Sequence, residues 1–209
     1  MIRTHALAIR PVSIEDRRKL ANLLHFEPLV HRHLDWRPPL EWIGHEPFFV
    51  LEDGGMLLAA LACPVDPPGV AWMRLFAASS LVDDETAWKQ LWHTARSSLE
   101  KEKEITAAAI PLQGWFRDLL EESGFDHYEN VVMLSWDRVT APPKPPDPSC
   151  TIRPMNQDDL PAVERVDQAA FEKIWRNTVT SLQDAFSQAA VATVLEVDHE
   201  LVGYQISTT

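Results

Sequence analysis

The sequence predicts an α/β fold, a mixed central sheet flanked by helices, followed by a partial second copy of the same unit. Three observations predict it. Strand and helix patterns alternate along residues 1–136. The block Ile9-Arg10-Pro11-Val12-Ser13-Ile14-Glu15-Asp16 returns as Ile152-Arg153-Pro154-Met155-Asn156-Gln157-Asp158-Asp159, 143 positions later. Between the copies, residues 141–148 hold five of the chain's 16 prolines. Prolines lack an N–H and fix φ, so this segment cannot donate to a helix or a sheet and reads as a semi-rigid linker.

A second matched block strengthens the repeat. Val50-Leu51-Glu52 corresponds to Val194-Leu195-Glu196, and Leu57-Leu58-Ala59 to Leu201-Val202-Gly203, both 144 positions apart. The order of blocks is kept. The domains expected are residues 1–140, a linker at 141–148, and residues 149–209 as the N-terminal part of a second unit.

In the first unit, residues 6–11 suit a strand. Ser13 can cap a helix over 14–25, with Asp16 at its third position. Residues 27–46, rich in proline, histidine and tryptophan, read as irregular with a short helix. Strands at 48–52 and 56–63 form a hairpin through Asp53-Gly54-Gly55, where glycine supplies positive φ. A strand at 70–77 comes after the Pro67-Pro68-Gly69 turn. Residues 84–101 are helical, with Ala87, Leu91, Ala95 and Leu99 on one face and Trp88 and Trp92 beside them. The uncharged run 105–110 suits a buried parallel strand. A helix at 113–122 ends at Gly124, and 131–136 closes as a strand.

Composition excludes several classes. The apolar fraction is 45%, and 31 acidic residues face 19 basic ones for a net charge of -12. A chain this apolar folds around a core, while its negative field disfavours nucleic acid and anionic membrane. No apolar run reaches the roughly 20 residues of a bilayer span. The N-terminus lacks the apolar stretch of a signal peptide, so the expected location is cytoplasmic. Cys63 and Cys150 form no metal-ligand pattern.

The element order, Ile-Arg-Pro opening each unit, and Ser123-Gly124-Phe125 before an apolar strand together resemble the GNAT superfamily of acyl-CoA-dependent N-acyltransferases. The likeness covers all of the first unit and the opening strand, helix and hairpin of the second. It implies a GNAT-like fold in tandem and transfer of an acyl group from acetyl-CoA or another acyl-CoA to a small-molecule or peptide amine. It also implies that the acyl-CoA pantetheine pairs with the backbone of the fourth strand, here Leu75, Phe76 and Ala77. The next loop, patterned Gln/Arg-x-x-Gly-x-Gly/Ala, would wrap the pyrophosphate, which places Thr86 and Ala87 at the cofactor.

The loop departs from that pattern. Val82-Asp83-Asp84-Glu85-Thr86-Ala87 keeps only its last residue, and none of the seven glycines lies in it. Asp83, Asp84 and Glu85 put carboxylates where phosphate is expected, at a repulsion on the order of 1 kcal/mol each even in water. They suit the positive end of a helix instead. The family's tyrosine acid falls on Leu120, which has no proton to give, and Arg74 is the one ionisable group of the fourth strand. Tyr128 reads as an edge aromatic, and Glu52 and Asp53 as solvated carboxylates at a turn. Catalytic residues are therefore unassigned, and the first domain reads as degenerate.

His25, His31, His33 and His45 cluster in sequence with Trp36 and Trp42. Without a third ligand at fixed spacing no metal is expected. In GNAT folds this region walls the acceptor site, which makes Trp36 and Trp42 the candidate substrate walls. The second unit stops before its fourth strand. Two alternatives are expected: a chain inactive by itself within a larger tandem enzyme, or a non-catalytic pseudo-acetyltransferase module for ligand binding or dimerisation. The C-terminal strand edge is the expected homodimer contact.

Overall fold

A computed structural model describes residues 7–102, 104–132 and 149–208 of the chain. The chain divides into two compact units, Met1–His127 and Tyr128–Thr209. The proline-rich segment 141–148 lies outside the described residues.

Unit 1 opens with β1 (Ala8–Pro11), a 3-10 turn at Ile14–Asp16 and α1 (Arg17–Phe26). Ser13 and Asp16 form the expected reciprocal cap. β2 (Leu29–Arg32) and a 3-10 turn at Pro39–Trp42 come next. β3 (Phe48–Asp53) and β4 (Met56–Ala62) form the hairpin, with Gly54 and Gly55 at φ 54 and 86°. The unit continues with β5 (Val70–Trp72), β6 (Leu75–Ala78), α2 (Asp84–Leu99), β7 (Thr106–Ala108) and α3 (Gly114–Glu122).

The main sheet of unit 1 has the order β1-β3-β4-β6-β2, and β5 pairs with β7 in parallel as a separate ladder. One face buries Leu51, Ala59, Leu61 and Phe76 against Trp88, Leu91 and Phe116 of α2 and α3. The other buries Val50, Ala60, Ala62 and Leu75 against Leu20, Leu23 and Leu24 of α1. Period-2 alternation on the strands and period-3.6 spacing on the helices meet at both faces.

Three expectations need correction. The strand expected over 70–77 is broken at Met73-Arg74. The Met73 N–H turns to the Ala108 carbonyl at 2.8 Å, while the Arg74 N–H turns to Ala62 at 2.8 Å, so the two halves join different partners. The region 27–46 is not all irregular, because Leu29-Val30-His31-Arg32 is a strand. Of the strand expected at 131–136, residues 131 and 132 are not in a strand, and 133–136 lie outside the described residues.

Unit 2 repeats the first elements. β8 (Cys150–Pro154), a 3-10 turn at Gln157–Asp159 and α4 (Leu160–Ala170) precede a 3-10 turn at Lys173–Trp175 and α5 (Val179–Ser187). β9 (Val191–Val197) and β10 (Glu200–Ser207) complete a sheet of order β10-β9-β8. Asp198 and His199 take positive φ in the hairpin turn. Met155, Leu160, Val163, Leu182 and Val194 form the core.

One polar clasp is built twice. Arg10 binds Asp16 through two nitrogens, at 2.6 and 2.9 Å, and Glu52 through two more contacts, at 2.8 and 3.1 Å. Arg153 holds Asp159 and Glu196 in the same way, at 2.7 to 3.0 Å. Each clasp ties the first strand, the turn before the first helix and the first strand of the hairpin in its unit. Glu52 is thus not the solvated turn carboxylate expected. The hydrogen bonds from Arg10 hold the Asp16 carboxyl down to about 2. Because its folded value is depressed, Asp16 adds stability above its ordinary range near pH 4, and that contribution fades as pH falls toward 2. Replacing Arg10 by Ala strands a carboxylate whose side chain is 5% exposed and should cost about 2 kcal/mol. Urea denaturation of unit 1 checks this, and the same variant should flatten its loss of stability between pH 4 and pH 2.

Candidate functional site

The site is built where β6 meets the start of α2. Leu75, Phe76 and Ala77, the residues expected to face an acyl-CoA arm, lie in β6 and are fully buried. One edge of β6 pairs with β4, Ala59 to Ala62 against Ala78 to Leu75. The other edge is not open. It pairs antiparallel with β2, in the register Leu29 to Ala78, Val30 to Ala77, His31 to Phe76 and Arg32 to Leu75.

The neighbours of β2 continue this occupation at both ends. Beyond Arg32, the His33 N–H donates to the Arg74 carbonyl at 3.1 Å. Before Leu29, the Glu27 carboxylate accepts from the Ser80 backbone N–H at 2.9 Å and the Ser79 hydroxyl at 3.0 Å. The Ser80 N–H, with help from Ser79, holds the Glu27 carboxyl below the usual carboxylate range. A single stretch, residues 27–33, therefore supplies an anion, a strand and two imidazoles along the whole free side of β6.

Inside the fold, His31 is fully buried and stacked on Phe116, with ring centres 4.0 Å apart and planes 18° apart. Its Nε2 lies 3.1 Å from the Met73 carbonyl, which that nitrogen must meet as a donor. Its Nδ1 has no partner, and neither does Nδ1 of His33 or Nε of Arg74, all three buried. Burial pushes His31 down to about 4, and burial together with the Arg74 charge pushes His33 down to about 3. Arg74 pairs with Asp35 at 2.9 Å and with the Asp66 carbonyl at 2.8 Å. Burial lowers its guanidinium, with the Asp35 and Asp66 charges acting the other way.

Trp42 does not offer the open wall expected of a substrate site. It is 2% exposed, its Nε1 donates to Asp35 at 3.2 Å, and the guanidinium carbons of Arg37 and Arg74 sit 4.3 and 4.7 Å from its ring centre. Those contacts are worth roughly 0.5–2 kcal/mol each. Trp36 lies six residues before it and is half-buried. Of the histidines, His25 is exposed beside Phe26, and His45 meets the edge of Trp42.

The loop before α2 is closed on itself. The Asp83 carboxylate accepts from the Thr86 N–H at 2.9 Å and its hydroxyl at 2.6 Å, which holds it below the usual carboxylate range. Asp84 and Glu85 occupy the first turn, and Ala87 is fully buried in the core face. The helix dipole is thus met by the chain's own carboxylates. Leu120 is buried in the core, and Cys63 is a buried thiol pushed up to about 12.

Unit 2 holds a buried polar group that the sequence does not announce. Asp167 is fully buried and accepts from the Asn177 N–H, the Asn177 amide and the Tyr204 hydroxyl at 2.7, 3.0 and 2.6 Å. Burial and this carboxylate push the Tyr204 phenol well above its ordinary value. Three donors satisfy the carboxylate and pin the segment after α4 to β10. Tyr128, expected at an edge, is exposed and donates to Glu172. Among the described residues no helix is long and apolar enough to cross a membrane.

The neutral buried imidazoles predict a pH dependence. An unfolded histidine takes up a proton near pH 6.5, whereas His31 does so only near 4. The unfolded state therefore binds more protons as pH falls, and unit 1 loses up to about 1.4 kcal/mol per pH unit for each such histidine below pH 6.5. His31→Phe, which keeps an aromatic ring against Phe116, should reduce that slope between pH 6 and pH 4 in a denaturation series.

No protein-family model matches the sequence, and no curated protein matches it. Solved structures do. A tandem GNAT protein from the clavulanic acid biosynthesis pathway matches with a TM-score of 0.55 at 14% identity, covering 95% of this chain and 73% of its own. An aminoglycoside N-acetyltransferase solved with CoA gives 0.48 at 14% identity, covering 66% of this chain and 99% of its own. A ribosomal-protein-alanine N-acetyltransferase from Brucella melitensis gives 0.46 at 14% identity, covering 63% and 100%. With one clasp, one capped first helix and one opening strand order built twice, and a tandem GNAT match along nearly its whole length, the chain has the tandem GNAT fold.

Proposed function

We propose that unit 1 is a non-catalytic, pseudo-acetyltransferase module within a protein of the N-acyltransferase fold. The chemistry associated with that fold is transfer of an acyl group from acyl-CoA to an amine. Unit 1 supplies none of the expected parts. The observation that carries the reading is the pairing of β2 along the edge of β6 on which the resemblance puts the acyl-CoA pantetheine. Two others support it. Asp83 caps α2 where a pyrophosphate would need free N–H groups, and Leu120 stands where an acid would be needed.

Acetyl-CoA titrated into the full chain in a calorimeter should give no micromolar binding, and no acetyl transfer to small amines should be detected. Micromolar binding that protects residues 75–78 from hydrogen exchange would overturn the reading.

A second reading, self-association, is favoured by β10. Its equivalent in unit 1, β4, is paired on both edges, by β3 and β6, whereas β10 pairs only with β9 among the described residues. An eight-residue strand with one unpaired edge is a template for another strand. Sedimentation should then show a dimer in which Val202→Pro lowers the dimer fraction; a monomer at every concentration would remove this reading.

A further inference from the structure

We propose that residues 27–33 form an autoinhibitory strap, a segment that occupies a ligand notch in unit 1 and can leave it without unfolding the unit. The notch left behind would take an extended chain with an anionic end, the chemistry of an acyl-phosphopantetheine arm. The inference rests on the pseudo-acetyltransferase reading for what the notch once held. It adds the occupant and its reversibility.

The strap reproduces such a ligand group by group. Its carboxylate, Glu27, sits on the Ser80 N–H and the Ser79 hydroxyl, as a phosphate oxygen would. Its backbone, Leu29–Arg32, pairs along β6 as an amide-bearing arm would. Its far end meets the break at Met73-Arg74, where Nε2 of His31 reaches the Met73 carbonyl and the His33 N–H takes the Arg74 carbonyl.

The way the strap is held marks it as removable. A strand that merely completed a sheet would anchor itself with buried aliphatic side chains, as β3 and β4 do. The strap's one fully buried side chain is instead His31, an imidazole with an unpaired nitrogen. At the strap's far end lie two more unpaired buried nitrogens, on His33 and Arg74. Unsatisfied polar atoms weaken the docked state relative to the released one, where water reaches them. Arg32 is exposed, and its guanidinium reaches only the Leu24 carbonyl of α1. Neither core cluster of unit 1 draws its fully buried members from the strap, and Val30 alone packs at the margin of one.

The test is hydrogen exchange with mass spectrometry on the full chain and on the variant Glu27→Lys/His31→Gly, which removes the two side-chain anchors. Residues 75–78 should exchange at least about tenfold faster in the variant while α2 and β3 keep their protection. Saturating acetyl-CoA should then restore protection at 75–78 in the variant and leave the unmodified chain unchanged. If 75–78 stay protected in the variant, or are freed and not reprotected by acetyl-CoA, the strap proposal fails. If the unmodified chain itself binds acetyl-CoA, the pseudo-acetyltransferase reading fails instead. Should the double variant unfold, Glu27→Lys alone alters one exposed contact, and it must still speed exchange at 79–80 for the proposal to stand.

Discussion

A strand in the middle of a sheet has two edges, and each must be hydrogen-bonded. In unit 1 this constraint falls hardest on β6. One side belongs to β4. The other would be a row of bare N–H and C=O groups at the mouth of the fold, because β5 breaks away at Met73-Arg74 to join β7. Whatever lies along that side decides what the unit is. Here it is the chain itself, and the consequences spread from there: Glu27 is drawn to the start of α2, His31 is buried against Phe116, and Arg74 is turned toward Asp35 and Trp42.

The opening of each unit obeys a different logic. Arg10 and Arg153 each answer two carboxylates and the turn that begins the first helix, so strand, cap and hairpin are set by one guanidinium. The bidentate fork fixes direction as well as distance, which a lysine in the same place could not. Two such clasps give both units the same beginning. Their later parts differ. Unit 1 goes on to β5, β6, α2, β7 and α3, while unit 2 is described only as far as β10.

The repeat, the hairpins, the capped first helix and the apolar face of α2 were legible in the sequence because each is a local pattern: matched blocks, paired glycines, a Ser-to-Asp spacing, leucines and alanines three and four apart. The acidic loop before α2 was legible as well, since a missing glycine and an added carboxylate are visible residue by residue. β2 was not. Its four residues sit among prolines and histidines that read as a loop, and only a bare edge on β6, forty-five positions away, makes a strand of them. Glu52 was misjudged for the same reason, since its partner Arg10 is distant in sequence. Trp42 looked like a wall because tryptophans line pockets, whereas its polar N–H and its flat face were claimed by Asp35 and two arginines.

The Asp167–Tyr204 pair of unit 2 occupies positions that the repeat aligns with Leu24 and Ala60 of unit 1, both members of one apolar cluster. The same place between first helix and hairpin is thus filled by hydrocarbon in one unit and by a hydrogen-bonded phenol and carboxylate in the other. No half-way state is comfortable: an aspartate facing an alanine would be a bare buried charge, and a tyrosine facing a leucine would bury an unmatched hydroxyl. The two halves of the duplication have therefore ceased to be interchangeable parts. A segment moved from one to the other carries its side of a two-residue agreement and leaves the other side behind, so divergence at this spot acts as a lock that keeps each unit with its own helix.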